Sequence, residues 1–367
     1  MTGAATKFSR LLSLDVFRGL TIALMILVNS AGNKTSYAWL EHSLWNGCTI
    51  ADVVFPFFVF IVGVSSVFSI AKSKEKGFTS VQLFSKILRR SLIIFLIGLC
   101  LNAFPYHGLD SLRIHGVLQR IAICYFSASL LFLFTDLRTQ FIILLMLLIG
   151  YWLALTQIPV PGVNLNHLTA ENNLAAYVDR LLLGSNHLWA KTWDPEGILS
   201  TLPAIATALI GNLTGAWLLS AHDPLKKLKV LWVAAIISMM IGWLWGLEFP
   251  VNKILWTSSY VLWTAGLALF ILGGCYWLID IKGWRKWCKP FEIFGVNALA
   301  VFVLHVVFLK IQAMIPMPSG NLRTFITQEL FGWASLKNAS LFYALTYTLL
   351  WFFVLCFFYR KKIFIKI

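Results

Sequence analysis

The chain has 367 residues, of which 59% are hydrophobic and only 12% charged, with a formal net charge of +15. Soluble domains carry about 25% charged residues, so this chain cannot cover a water-facing surface and needs lipid as its solvent. Its basic residues sit in short segments between apolar runs with no aromatic-basic recognition face, which argues against nucleic acid as a partner.

A helix crossing a bilayer needs about 20 mostly apolar residues. Such runs lie near 14–31, 51–71, 89–104, 116–135, 139–156, 198–220, 229–247, 255–278, 291–314 and 340–358. Ten spans result, and the predicted fold is an all-α integral membrane bundle forming one domain over 1–367. Run length excludes a lipid-facing barrel, whose strands are about half as long.

Lys7 and Arg10 precede the first run, which contains Arg18 and ends in no small-x-small cleavage site, so it reads as an uncleaved span. Asp15 and Arg18 are three apart at its inner start and share a helical face, which predicts a local ion pair. Asn29 lies near its other end. The following loop holds Glu41, His42, Trp45 and Asn46, and Asp52 opens the second span. Asp52 is expected to cap that span or to pair with Arg120, which opens the fourth. The segment from Gln157 to Glu196 is long, includes an amphipathic stretch at Tyr177–Leu183, and carries Trp189 and Trp193. Segments of that length are usually functional or disordered, and 157–197 reads as a lid at the interface. Asp194-Pro195-Glu196-Gly197 reads as a helix start, with Asp194 as cap. The ninth span carries Asn297 and His305, eight apart and therefore roughly on one face, and a mid-span histidine requires a partner or a wet cavity.

Orientation follows from Lys and Arg in alternate loops. One set, from Lys7 and Arg10 through Lys72, Arg89, Arg90, Arg138, Lys226 and Lys282 to Lys366, totals twenty; the other, including Lys34, Arg113, Lys253 and Lys310, totals eight. The richer set is expected inside, with both termini cytoplasmic. His42, His107, His115, His167 and His187 then face outward. Cys100, Cys124, Cys275 and Cys356 lie in apolar runs and Cys48 and Cys288 near loops, with no metal-ligand spacing, so neither a disulfide framework nor a metal is expected.

His42 is the residue best suited to chemistry. An imidazole can take a proton from an attacking amine or hydroxyl, or accept an acyl group itself. Asn29 offers an amide donor suited to an oxyanion. Read alone, without further context, His42 is an ordinary loop histidine and Asn29 an interhelical hydrogen-bonding group.

Several stretches carry a family resemblance. Arg10-Leu-Leu-Ser-Leu-Asp15-Val-Phe-Arg18-Gly, Ile26-Leu-Val-Asn29, His42-Ser-Leu-Trp45-Asn46-Gly47 through Asp52-Val-Val-Phe55-Pro56, Arg113-Ile-His-Gly116-Val-Leu-Gln119-Arg120, Asp179-Arg180-Leu-Leu-Leu-Gly184, Asp194-Pro195-Glu196-Gly197 and Tyr359-Arg-Lys-Lys-Ile363-Phe together resemble the heparan-alpha-glucosaminide N-acetyltransferase family, in its short bacterial form. The resemblance implies transfer of an acetyl group from cytosolic acetyl-CoA to the amine of glucosamine or a glucosaminide on the far side, in a cell inner membrane. It also implies that His42 and Asn29 are the family's active histidine and asparagine. Arg18, Arg89, Arg90, Asn297 and His305 are expected around the CoA donor, with Lys72 on the same basic rim. Trp45, Asn46, Asp52 and Glu196 are expected around the amino-sugar or glycan acceptor, and Arg120 and Asp194 in structural roles. Membrane lipid and a second copy in a homodimer are further expected partners. An amino-sugar transporter is the alternative function, and whether His42 acts as base or acyl carrier stays open.

Overall fold

The computed structural model describes residues 11–106, 108–162 and 168–365; Lys7, Arg10, His107, His167 and Lys366 lie outside the described residues. Thirteen α-helices follow in order: α1 Leu12–Asn29, α2 Ile50–Glu75, α3 Ser80–Asn102, α4 Val117–Phe134, α5 Leu137–Gln157, α6 Leu174–Leu183, α7 Thr201–Leu219, α8 Pro224–Trp245, α9 Ser258–Cys275, α10 Lys289–Val296, α11 Ala298–Met314, α12 Leu322–Phe331 and α13 Leu336–Arg360. A π-helical turn, Tyr276–Ile281, extends α9, and a two-stranded antiparallel hairpin of β1 Pro316–Met317 and β2 Gly320–Asn321 joins α11 to α12.

Eight of the described helices are long and apolar enough to cross a membrane, and the pair α10–α11 makes nine if it is one span. The protein is an all-α polytopic membrane protein. The segment predicted as span three is helical as α3, but Lys86, Arg89 and Arg90 occupy its first half and leave only a short apolar stretch beyond them. The segment predicted as span nine is not one straight helix. Asn297, at φ −114° and ψ 39°, breaks it, and the two halves meet at 78°.

Lipid exposure sorts the helices. On α5, Phe141, Ile142, Leu145, Met146 and Ile149 face outward, as do Val233, Ile236, Ile237 and Met240 on α8 and Leu349, Leu350 and Phe353 on α13. Such apolar outer faces are stable only against hydrocarbon. The helices α2, α7 and α9 are buried on most sides and carry the polar interior: Asn212 donates to the Ala128 carbonyl at 2.7 Å and to Gln140 Oε1 at 3.2 Å, and accepts from Ser66. In hydrocarbon these groups have no water to turn to, so they bind one another.

Two backbone crossings draw the centre tight. A Cβ on Gly63 of α2 would stand 2.0 Å from the Ala208 carbonyl oxygen of α7, and one on Gly211 2.3 Å from that of Phe60. Gly19 of α1 meets the Phe291 carbonyl of α10 at 1.8 Å in the same sense. Only glycine allows such approach. Gly63→Ala and Gly211→Ala should each destabilise by about 1–3 kcal/mol, the range for overpacking, seen as a lower unfolding temperature in detergent. Gly274→Ala, at a helix position with open space around it, should leave that temperature unchanged.

Candidate functional site

The site grows from the start of α2. Thr49 and Asp52 form a capping box there, with the Asp52 carboxylate receiving the Thr49 amide at 3.0 Å. The same oxygen, Oδ2, accepts from the Ser43 amide at 3.0 Å and the Thr49 hydroxyl at 3.1 Å. The other oxygen, Oδ1, lies 2.8 Å from His42 Nδ1 and 3.4 Å from Lys253 Nζ. Asp52 is wholly buried while the His42 side chain is half exposed. With Nδ1–H donated to this carboxylate, Nε2 carries the ring's lone pair, and Lys253 Nζ is within reach of it. Asp52 thus caps its span as the sequence suggests, but it does not pair with Arg120. Its four partners come from the adjoining loop and from Lys253, and they occupy both of its oxygens.

A proline fixes α2 against α9. Pro56 has no N–H to give the Asp52 carbonyl four residues back. Tyr260 of α9 supplies the missing donor, with its hydroxyl 2.6 Å from that carbonyl. The ordinary cost of proline inside a helix becomes an interhelical tie at the residue that holds His42.

Lys253, between α8 and α9, is the site residue that sequence reasoning passed over. Its Nζ lies 2.9 Å from Nδ1 and 3.3 Å from Nε2 of His42. Burial draws its ammonium below the usual lysine range, against the pull of Asp52 and Glu196. Cys48 stands near, but burial and the Asp52 charge push its thiol up to about 12, so it is no nucleophile at neutral pH.

His42 and Asn29 line one cavity of about 320 Å³, together with Asp52, Lys253, Arg113 and Glu196, under the indoles of Trp189 and Trp193. Trp45 and Asn46 are not among its lining residues. The Trp45 indole donates to the Leu168 carbonyl at 2.7 Å and Asn46 accepts from Asn252 at 3.2 Å, while the Gly47 amide bonds the Val251 carbonyl at 2.7 Å. These contacts tie the His42 loop to its neighbours, a role that the expected acceptor contact did not anticipate.

Arg113 holds the long segment over the cavity. Its Nε and Nη2 grip Asp194 at 2.8 and 2.6 Å, Nη2 also reaches Glu196, and its guanidinium lies 5.0 Å from the Trp189 ring. Asp194 and Glu196 raise the guanidinium further above its ordinary range, in opposition to burial. Asp194 in turn accepts from the Trp189 and Glu196 amides, both at 2.9 Å. It does not cap a transmembrane helix: α7 begins only at Thr201, and the carboxylate is spent on Arg113 and the turn. Arg120, wholly buried, bonds the Gly197 carbonyl at 3.2 Å and the Ser200 hydroxyl, and lies 5.0 Å from the Trp256 ring.

A second cavity, of about 480 Å³, lies beside the first. Arg18, Ser65, Arg90, Tyr125 and Ile365 are among its lining residues. Arg18 pairs with Asp15 at 3.1 Å, as the three-residue spacing predicts, and also reaches Ser65 at 3.0 Å. Arg90 lies 5.0 Å from the Tyr125 ring. Of the other residues expected near a donor, Arg89 lines neither cavity. Asn297 is spent on the C-terminal segment, giving its amide to the Ile363 carbonyl and taking the Ile365 amide, each at 3.0 Å. His305 is wholly buried, bonded through Nδ1 to the Val301 carbonyl at 3.0 Å, and lines neither cavity. The break at Asn297 removes the shared face on which the two residues were expected. Among the described residues no cluster suited to a metal ion occurs.

Residues 10–242 match the family described as "Heparan-alpha-glucosaminide N-acetyltransferase, catalytic". The chain is 33% identical to the heparan-alpha-glucosaminide N-acetyltransferase of Homo sapiens, over 98% of this chain and 60% of that protein. It is 34% identical to the protein of the same name from Mus musculus, over 82% of this chain and 54% of that one. The chain therefore spans little more than half the length of these curated relatives.

Two outcomes follow from the Arg113 tie and from α6. Arg113→Gln should leave the buried Asp194 carboxylate poorly paired, and amide hydrogen exchange across 187–197 should rise severalfold while exchange in α2 and α7 stays unchanged. Asp179, on α6, bonds the Ile198 amide at 2.8 Å, and burial raises its carboxyl from 3.8 to about 6. A carboxyl raised on folding favours the folded state most while protonated, so its contribution is complete below about pH 4 and lost as pH rises through about 6. Exchange at 174–198 should increase over that window, and Asp179→Asn should abolish the dependence.

Proposed function

The chain belongs to the heparan-alpha-glucosaminide N-acetyltransferase family, and on that premise we propose that it moves an acetyl group from acetyl-CoA across a membrane to the amine of glucosamine or a terminal glucosaminide. The observation that carries the reading is one arrangement. An imidazole held by a buried carboxylate shares a cavity with Asn29, and that cavity adjoins a second one bearing two arginines.

In this reading the acceptor sits in the cavity of His42, against Glu196 and the indoles of Trp189 and Trp193, beneath the 157–197 segment acting as a lid. The donor's phosphates lie toward Arg18 and Arg90, whose charge suits phosphate oxygens, and its pantetheine arm follows the apolar walls toward His42. Arg18 and Asn29 stand eleven positions apart on α1, an axial rise of about 16 Å. A small acetyl group covers the remaining distance at the end of a flexible arm, so the anionic nucleotide never crosses the hydrocarbon. The excess of lysine and arginine on the Arg90 side supports a cytoplasmic donor; with α3 counted as a short tenth span, both termini lie on that side of a cell inner membrane.

The chemistry is direct transfer. The free amine attacks the thioester carbonyl, His42 Nε2 takes the amine proton, and a C–N bond forms. The Asn29 amide donates to the oxyanion of the tetrahedral intermediate. The C–S bond then breaks, and the imidazolium returns its proton to the departing thiolate. Asp52 keeps Nδ1 protonated and steadies the imidazolium in between.

The test is purified protein in proteoliposomes, with labelled acetyl-CoA on one side and glucosamine on the other. N-acetylglucosamine should accumulate. His42→Ala should lower kcat by about 10²–10⁴-fold and Asn29→Ala by about 10²–10³-fold, with KM for the donor little changed. Sugar uptake with no acetylation would overturn the reading in favour of a transporter. Acid-labile label on the protein after rapid quench without acceptor would replace direct transfer with an acetyl-histidine route.

A further inference from the structure

Phe58 of α2, Val117 in the first turn of α4 and Phe302 of α11 each line both cavities. No polar residue does. All three side chains are neither buried nor exposed, as a wall with space on each side requires. They come from three different helices, so the wall exists only where the bundle brings those helices together.

Phe302 is backed by a second ring. It follows the break at Asn297 by five residues, and its ring lies 5.8 Å from the His305 ring, edge to face. His305 is fixed in turn by its bond to the Val301 carbonyl, and Tyr347 of α13 donates to the His305 carbonyl at 2.9 Å. The buried histidine that lines neither cavity therefore acts as a backing for one wall residue.

We infer that Phe58, Val117 and Phe302 form a steric gate that passes an unbranched acyl thioester and rejects branched ones. This rests on the acetyltransferase reading and adds its donor specificity. The thioester end of the donor passes between the three side chains to reach His42 and the unbranched pantetheine arm follows it, so the gap admits a straight chain, while a wider group must displace the side chains of the wall. Discrimination by an apolar site runs at about 10–200-fold per methylene-sized group, enough to separate acetyl from isobutyryl.

The experiment compares acetyl-, butyryl- and isobutyryl-CoA as donors to glucosamine, for the wild-type protein and for Phe58→Ala and Phe302→Ala. Wild type should favour acetyl over isobutyryl strongly, and each variant should raise the isobutyryl-to-acetyl ratio of kcat/KM by at least about tenfold while moving the butyryl-to-acetyl ratio less. Phe58→Leu, Phe302→Leu and Val117→Ala remove less volume and should raise the isobutyryl-to-acetyl ratio by smaller, graded amounts, so the comparison survives if an alanine variant fails to fold. If the variants transfer acetyl and the ratio stays at its wild-type value, the gate is overturned while the acetyltransferase reading stands. If wild type transfers no acyl group at all, that reading fails and the gate falls with it.

Discussion

Much of this molecule depends on one buried carboxylate. Asp52 sits where α2 enters the bundle, and an ionised group at that depth persists only when its acceptor sites are filled. They are filled by the Ser43 and Thr49 amides, the Thr49 hydroxyl, the His42 ring and the Lys253 ammonium. Each donor belongs to a segment that the carboxylate thereby positions. The cap of α2, the course of the 42–49 loop and the direction of the imidazole are consequences of the same electrostatic need. Pro56 adds the backbone half of the arrangement by releasing the Asp52 carbonyl to Tyr260.

A second constraint is closeness between backbones. The glycine crossings of α1 with α10 and of α2 with α7 hold the centre of the bundle tight, and the space left among α1, α2, α3, α4 and α11 is divided into two adjoining cavities. Cavity and crossing are complementary, because helices drawn together in one place splay elsewhere. The bend at Asn297 turns α11 so that Phe302 faces that space, and the segment after α13 runs beside it, with Ile365 on the wall. The end of that space at His42 is closed differently, by ion pairs: Arg113 binds Asp194 and Glu196 and so sets the segment bearing the two indoles over His42.

Legibility in the sequence varied with the range of the interaction. Apolar runs marked the helices well, since span length is a property of consecutive residues. The Asp15–Arg18 pair was legible because three residues on a helix are neighbours. Asp52 is legible as the cap of its span, but its cation is not: nothing in local sequence ranks Lys253 above Arg120. Lys253 escaped notice for the same reason, being a single lysine in a short loop. Pro56 was a usable signal that went unread: a proline four residues after a buried acid announces an unsatisfied carbonyl. Asn297 and His305 suggested a shared face, and the kink between their helices removed it.

What the chain determined by itself is the lipid environment, the helices, the basic asymmetry between their ends, and the residues able to do acid–base chemistry. Those follow from composition and from periodicity along the backbone. Only the tertiary structure decided which carboxylate holds His42, which cation lies beside it, that Asn29 shares its cavity while Trp45 and Asn46 brace its loop, and that three apolar side chains stand between two cavities. The physical reason is that each of these is a contact between residues far apart in sequence. Their meeting is set by how closely glycine lets helices approach and by which buried charges must be paired.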